Sequence, residues 1–171
     1  TTGLIDPRGA YLASSTLWYP EHFDDPFTFE LTATVPAAWE PVSQGARTTA
    51  GTGTGHALDA AAAPDASTGL PQDAAAAPGA GTRTVTWSCP QPMDDIYLIA
   101  GPYVLREEIH DGVAIQTFTY GNDDEDLCRR YLDATRDYLR LYSGLIGPYP
   151  FTKFALVENF WQTGYGMPSF T

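Results

Sequence analysis

Apolar and polar residues alternate without a break from Phe27 to Val35. That period of two puts Phe27, Phe29, Leu31, Ala33 and Val35 on one face, the pattern of a half-buried strand, and Pro36 ends it. Tyr11 to Trp18, rich in aromatic and β-branched residues and stopped by Pro20, predicts an earlier strand. Thr84-Val85-Thr86-Trp87 and the apolar run Ile96 to Ala100, bounded by Asp94-Asp95 and Gly101-Pro102, add two more. Tyr103 to Ile109 and Val113 to Tyr120 flank His110-Asp111-Gly112, where the Asp-Gly pair favours a tight hairpin turn. About six short strands joined by turns predict a mostly-β chain built on an antiparallel sheet or sandwich.

The period changes after Gly121. Asn122 to Glu125 has the form of a capping box, with further acids where the helix dipole favours them. Leu127, Tyr131, Ala134, Tyr138, Leu141 and Leu145 then follow at three- and four-residue steps, one stripe of a long amphipathic helix. Asp126 and Arg130 stand four apart with the acid first, the better orientation for an ion pair. Gly144 and then Gly147-Pro148 end the helix. Phe151 to Phe160 predicts one more strand, followed by a glycine-rich turn. The switch near Gly121 divides the chain into a β domain, 1–121, and the beginning of a second domain, 122–171.

From Ser43 to about Thr82 the composition narrows to Ala, Gly, Thr, Pro and Asp, with Leu58 and Leu70 the only large apolar residues. The hexamer Asp-Ala-Ala-Ala-Ala-Pro occurs at Asp59 to Pro64 and again at Asp73 to Pro78. Each copy could start a helix, but proline stops it within about a turn, short of the roughly 12 residues an isolated helix needs. Two copies without a hydrophobic face cannot stack as a solenoid. Residues 43–82 are therefore expected to be a disordered insertion between two strands, dispensable for folding because long loops add little closure entropy.

Nine basic against 21 acidic residues give a net charge of -12. That balance repels phosphate backbones and anionic lipid, which argues against nucleic acid or a membrane surface as partner. No apolar run approaches the roughly 18 residues of a membrane helix. Lys153 is the only lysine; the other basic residues are arginines. Cys89 and Cys128 set no disulfide framework, and two free thiols are the simpler reading.

The familiar catalytic constellations are missing from these residues. There is no H-E-x-x-H, no cysteine pair at zinc spacing, no G-x-S-x-G and no phosphate-binding glycine loop between strand and helix. Glu21-His22-Phe23-Asp24-Asp25 offers ligand-type side chains, but a loop ahead of a strand needs such polar residues anyway. His56 lies in the low-complexity stretch and His110 at a hairpin tip. Asp123 to Asp126 lacks the spaced ligands of a calcium loop and is better explained as a helix start.

Near the C-terminal end, Gly147-Pro148-Tyr149-Pro150-Phe151-Thr152-Lys153-Phe154 resembles the Tyr-Pro-x-x-Lys segment of the aminopeptidase N-like zinc metallopeptidases, the family that includes leukotriene hydrolase. In that family a helix precedes this segment, and a strand and a Gly-x-Met-Glu-Asn loop follow it. Here Phe154 to Phe160 matches the strand and Tyr165-Gly166-Met167-Pro168-Ser169 the loop. Upstream, Trp18-Tyr19-Pro20 through Asp25-Pro26-Phe27-Thr28-Phe29-Glu30-Leu31 is similar to the motif ahead of a strand in the family's N-terminal β domain. Ile99-Ala100-Gly101-Pro102-Tyr103 is similar to that domain's closing strands.

The resemblance implies a β domain followed by the opening of a thermolysin-like α+β catalytic domain. It also implies a parent enzyme in which zinc activates water and a glutamate acts as general base on peptides. The zinc-binding helix is expected beyond Thr171, so this chain holds no zinc ligand set. The remainder of the catalytic domain becomes an expected partner, with peptide as substrate. By the same resemblance Gly164, Tyr165, Gly166, Met167 and Pro168 lie beside a bound peptide, and Glu158 stands nearby at the strand's end. Pro168 occupies the place of the glutamate that holds the substrate's free amine, which departs from the pattern of an aminopeptidase. From another class, a non-enzymatic β-sandwich interaction module fits the same strands. The chain by itself is expected to retain no zinc through dialysis and to hydrolyse no amino-acid arylamide. Stoichiometric zinc that depends on His22 would contradict this.

Overall fold

A computed structural model of the chain describes residues 3–20, 25–49, 81–121, 125–160 and 166–170. These residues are mostly β: three sheets, one long helix and a terminal strand. The strands are β1 (Gly3–Asp6), β2 (Gly9–Leu12), β3 (Phe27–Pro36), β4 (Glu40–Val42), β5 (Ala46–Thr49), β6 (Thr82–Met93), β7 (Leu98–Gly101), β8 (Tyr103–His110), β9 (Val113–Tyr120) and β10 (Lys153–Val157). The helix α1 spans Glu125–Leu145, between β9 and β10.

The first sheet runs β1-β2-β7-β4 and the second β3-β6-β5, every pairing antiparallel. The third runs β10-β9-β8, antiparallel between β8 and β9 but parallel between β9 and β10. A parallel neighbour needs a crossover, and α1 supplies it. One cluster joins the sheets: Val42, Val85, Trp87, Ile99 and Phe118 pack with Ala155 of β10 and with Met167 and Phe170. A second, smaller cluster of Val113, Ile115 and Leu139 lies between α1 and β9.

The period-two face of β3 is observed, with Thr32 and Thr34 on the outer side hydrogen-bonded to Thr86 and Thr84 of β6, each at 3.0 Å. The Asp-Gly hairpin is also present, with Asp111 and Gly112 both at positive φ. Elsewhere the elements differ from expectation. The strand predicted over Tyr11 to Trp18 ends at Leu12, and Ser14–Thr16 forms a 3-10 turn. The Asp95 carboxylate causes this by accepting the Ser14 N–H (3.1 Å), the Ser14 hydroxyl (2.7 Å) and the Tyr19 hydroxyl (2.7 Å). β6 extends well beyond Trp87 and passes through Pro90 and Pro92. Proline cannot donate to a ladder, and the β3–β6 register shifts there, between Phe27 and Phe29. The final strand is Lys153–Val157, shorter than the run from Phe151 to Phe160.

The helix turns a different face inward from the stripe that the sequence suggests. Cys128, Leu132, Thr135 and Leu139 meet the sheet, again at four-three-four spacing. Tyr131, Ala134, Tyr138, Leu141 and Leu145 of the suggested stripe are exposed, Leu145 at 71%. Arg130 Nε donates to the Asp126 carbonyl at 3.4 Å. Arg136 instead bridges Asp133 at 2.5 Å and Glu108 of β8 at 3.5 Å. Gly144 stays helical, and the chain turns out only at Gly147 (φ +140).

Order also persists past the expected start of the low-complexity insertion at Ser43. Ser43 and Gln44 are buried and Ala46–Thr49 pairs with β6. The Gln44 amide explains why: its Nε2 donates to the Asp95 carbonyl (2.8 Å) and its Oε1 accepts the Tyr97 N–H (3.0 Å). Glu40, almost fully buried, forms ion pairs with Arg47 of β5 and Arg83 of β6. Gly45 sits at φ +83, and a Cβ there would lie 2.2 Å from the Ser88 carbonyl oxygen. The remainder of the segment, with Leu58 and Leu70, lies outside the described residues, as does the capping box at Asn122 to Asp124. Replacing Ser43 to Thr49 by a Gly-Ser linker should lower the thermal midpoint by roughly 10 °C or more, since several buried partners go together. A differential scanning trace that shifts by a degree or two would contradict this.

Candidate functional site

The alternation in β10 puts Lys153, Ala155 and Val157 on one side of the strand, and Lys153 is buried with Ala155. The chain's only lysine is thus 1% exposed. Its Nζ donates to the Ser43 carbonyl at 2.8 Å and the Ser169 carbonyl at 2.6 Å. The same nitrogen lies 5.1 Å from the centre of the Trp87 ring and 4.6 Å from that of Phe170, within reach of a cation–π attraction. Burial pulls the amine down to about 7, and the buried Cys89 thiol opposes that pull. Burial likewise raises Cys89, against a backbone hydrogen bond at Gln91 and the charge of Lys153.

The turn held by this amine contains Gly166, Met167 and Pro168. Met167 is buried in the main cluster, Ser169 is buried at φ +65, and Phe170 closes the turn with its N–H to the Met167 carbonyl at 2.9 Å. Ala155 of β10 donates its N–H to the Phe170 carbonyl (2.6 Å), and the Ser169 hydroxyl accepts the Gly45 N–H (3.1 Å). Gly166 and Pro168 face outward. The segment is therefore pinned from inside at Met167, Ser169 and Phe170. Gly164 and Tyr165 lie outside the described residues.

Glu158 follows β10 directly and is exposed. Its Oε2 accepts the Tyr120 N–H at 2.8 Å, and its own N–H goes to the Phe118 carbonyl at 2.8 Å. The carboxylate thus closes the end of the β9–β10 pairing, and its hydrogen bonds among the described residues go to β9 and not to the Gly166–Phe170 turn. Beside it the Tyr120 hydroxyl meets Tyr103 at 3.3 Å, and burial pushes the Tyr103 phenol well above its ordinary range. Tyr149, of the Tyr-Pro pair, donates its hydroxyl to the Lys153 carbonyl at 3.3 Å and is pushed up to about 12 by burial.

The described residues do not fit a zinc ion. Among the described residues no three His, Cys, Asp or Glu side chains come together as ligands. His110 Nε2 stands 3.4 Å from Asp111 Oδ2 at the hairpin tip, and His22 and His56 are outside the described residues. Cys89 and Cys128 are both free and buried, the second with its sulfur 3.4 Å from an Arg106 nitrogen. No described helix is long and apolar enough to cross a membrane.

No family model matches the chain, and no curated protein matches it. Among solved structures it is similar to the M1 zinc metallopeptidase from Deinococcus radiodurans, with 19% sequence identity and a TM-score of 0.49. The match covers 91% of this chain and 33% of that one, so the chain spans about a third of that structure's length.

Sequence reasoning identified Lys153 only as a letter of a motif and missed Ser43 and Ser169. The signal was available in part: Lys153 is the sole lysine and stands two before Ala155 in an alternating strand. Nothing in the sequence pointed to the carbonyl of Ser43, 110 residues away. Ser169→Ala removes the acceptor of the buried Gly45 N–H and should cost about 1–3 kcal/mol in urea unfolding. A change within a few tenths would show that this bond does not hold the turn.

Proposed function

We propose that this chain is the N-terminal β domain (1–121) and the opening of the catalytic domain (122–171) of a zinc metallopeptidase-like protein. In that protein it forms part of the wall of a peptide cleft. The observation that carries the reading is the Lys153 nitrogen, which ties the Tyr-Pro-x-x-Lys segment to the Gly166-Met167-Pro168 turn. Two motifs that the resemblance sets in order along the chain meet at one buried atom. The division of labour within the turn also supports the reading: Met167 goes into the core, while Gly166 and Pro168 border solvent.

The ligand set and the general base of such an enzyme belong to residues outside this chain, so no step is assigned to the residues described. What this chain would supply is a fixed edge of backbone along which a peptide lies. The outward stripe of α1, with Tyr131, Tyr138, Tyr142 and Leu145, offers an apolar surface on which the rest of a catalytic domain would pack. A non-enzymatic interaction module would need no such continuation. An H-E-x-x-H within a few dozen residues after Thr171 in the reading frame separates the two.

Pro168 refines the expected specificity. A proline carries no charge and donates no N–H, so the amine of a free N-terminus loses the carboxylate it would meet in an aminopeptidase. A charge-assisted hydrogen bond of that kind is worth about 1.5–3 kcal/mol, roughly ten- to a hundredfold in discrimination. The longer protein should hydrolyse peptides in a chelator-sensitive way with little preference for free over acetylated N-termini, and Pro168→Glu should raise that preference. The measurement is kcat/KM on matched free and acetylated peptides. A wild-type ratio already in the hundreds would mean that another carboxylate holds the amine. Absence of chelator-sensitive hydrolysis would sink the peptidase reading itself.

A further inference from the structure

A lysine side chain is an expensive way to fill a core. An apolar side chain of similar length would occupy the same space without desolvating a charge, and such replacements are often neutral or stabilising. The Lys153 nitrogen must therefore be considered for what it donates. Its acceptors, the carbonyls of Ser43 and Ser169, belong to neither a helix nor a sheet ladder. They come from two segments that no strand pairing joins, which meet otherwise through the Gly45 N–H and the Ser169 hydroxyl. Without Lys153 both carbonyls would lie buried beside the Trp87 and Phe170 rings and lose this donor. Ser169, moreover, is held in a left-handed conformation that a serine adopts only under constraint.

We propose that Lys153 is the positioning residue of the Gly166–Phe170 turn: by donating to both carbonyls it fixes where Pro168 stands at the rim of the cleft, an inference that rests on the peptide-cleft reading above. Three hydrogen bonds then act as reporters of the closed turn: the N–H groups of Gly45, Ala155 and Phe170.

The amine also gives the closed turn a pH dependence with a definite sign. Opening the turn returns Lys153 to water, where it holds its proton up to an ordinary value of 10.5, whereas closed it does so only up to about 7. Between those values the open form binds the extra proton. The closed form therefore gains stability as pH rises through that window, loses it as pH falls toward about 7, and changes little below. Two titratable groups face the amine or its strand: Cys89 from β6, raised by burial, and Tyr149, which ionises only near 12. Ser43, Ser169, Trp87 and Phe170 carry no titrating charge in this range.

The test uses the 171-residue chain, with amide exchange followed by NMR between about pH 6 and pH 9. Because there is one lysine, a 13Cε label gives a single side-chain resonance that reports Lys153 directly. Protection of the Gly45, Ala155 and Phe170 amides should rise between pH 7 and 9, relative to Trp87 and Ile115 in the ladders, by up to about tenfold per unit. Cys89→Ser should retain that rise. In Lys153→Met the rise should vanish, and protection of the three amides at pH 8 should fall about tenfold, as for two lost hydrogen bonds. A core-filling role would leave the Met variant's turn as protected as the wild type's, and that result overturns the proposal. Should the variant not fold, the wild-type series decides: a Lys153 resonance that titrates while the three protections stay level is equally fatal. No peptide or zinc enters the measurement, so an absence of peptidase activity in the longer protein would remove the cleft reading and leave the anchoring of the turn standing.

Discussion

An amine nitrogen enclosed by protein must find acceptors or give up its charge, and Lys153 is enclosed almost completely. It does some of each. Its acceptors are two backbone carbonyls and its walls are the faces of Trp87 and Phe170, while burial draws its proton affinity far down. The segments that meet at this nitrogen carry much of the molecule's tertiary order: the bend into β5, the centre of β6, the start of β10 and the turn after it. Because the acceptors are main-chain atoms, the geometry fixes backbone position without regard to which side chains Ser43 and Ser169 carry. Side-chain identity matters one step out, where the Ser169 hydroxyl takes the N–H of Gly45.

The chain solves its other polar problems in a similar manner, by placing one buried or half-buried group among partners from other segments. Glu40 collects Arg47 and Arg83, Asp95 collects Ser14 and Tyr19, and Gln44 bridges the Asp95 carbonyl and the Tyr97 N–H. These links tie β4, β5 and β6 to one another and the chain after β2 to the approach of β7. They substitute for ladder bonds where sheets are only three or four strands wide and leave edges unpaired. Each is costly if half broken, which is why the order of Ser43 to Thr49 depends on side chains instead of composition.

Much of the fold was legible in the sequence wherever periodicity carried the information. β3 could be recognised from its alternation, the β8–β9 hairpin from its Asp-Gly pair, and α1 from its three- and four-residue steps. What periodicity could not supply was the partner of each face. α1 has two apolar stripes side by side, Cys128 to Leu139 and Tyr131 to Leu145, and only packing against β9 decides between them. Short elements escaped for a different reason: β1 and β5 are four residues each, and β5 lies in a stretch whose small polar residues hide two buried side chains. β6 was read only as Thr84 to Trp87, and its continuation through Pro90 and Pro92 goes with the slip in register there. At the candidate site the motif was visible but its physics was not, since the decisive acceptors are carbonyls, which every residue possesses.

The parallel pairing of β10 with β9 has a consequence for the order of assembly. β8 and β9 are adjacent in sequence and can close as a hairpin on the microsecond scale, whereas β10 cannot join β9 until the intervening helix has formed or at least compacted. Lys153 arrives with that last strand, and one of its carbonyl partners was made 110 residues earlier. During synthesis Trp87 therefore waits without its cationic neighbour, and the bend at Ser43 without its donor, until the C-terminal strand emerges. One of the chain's long-range contacts is thus made late, by a charge that has to be stripped of water on entry. A nascent chain halted before β10 would hold its first two sheets together with their central ring only partly covered, the kind of species on which a chaperone acts.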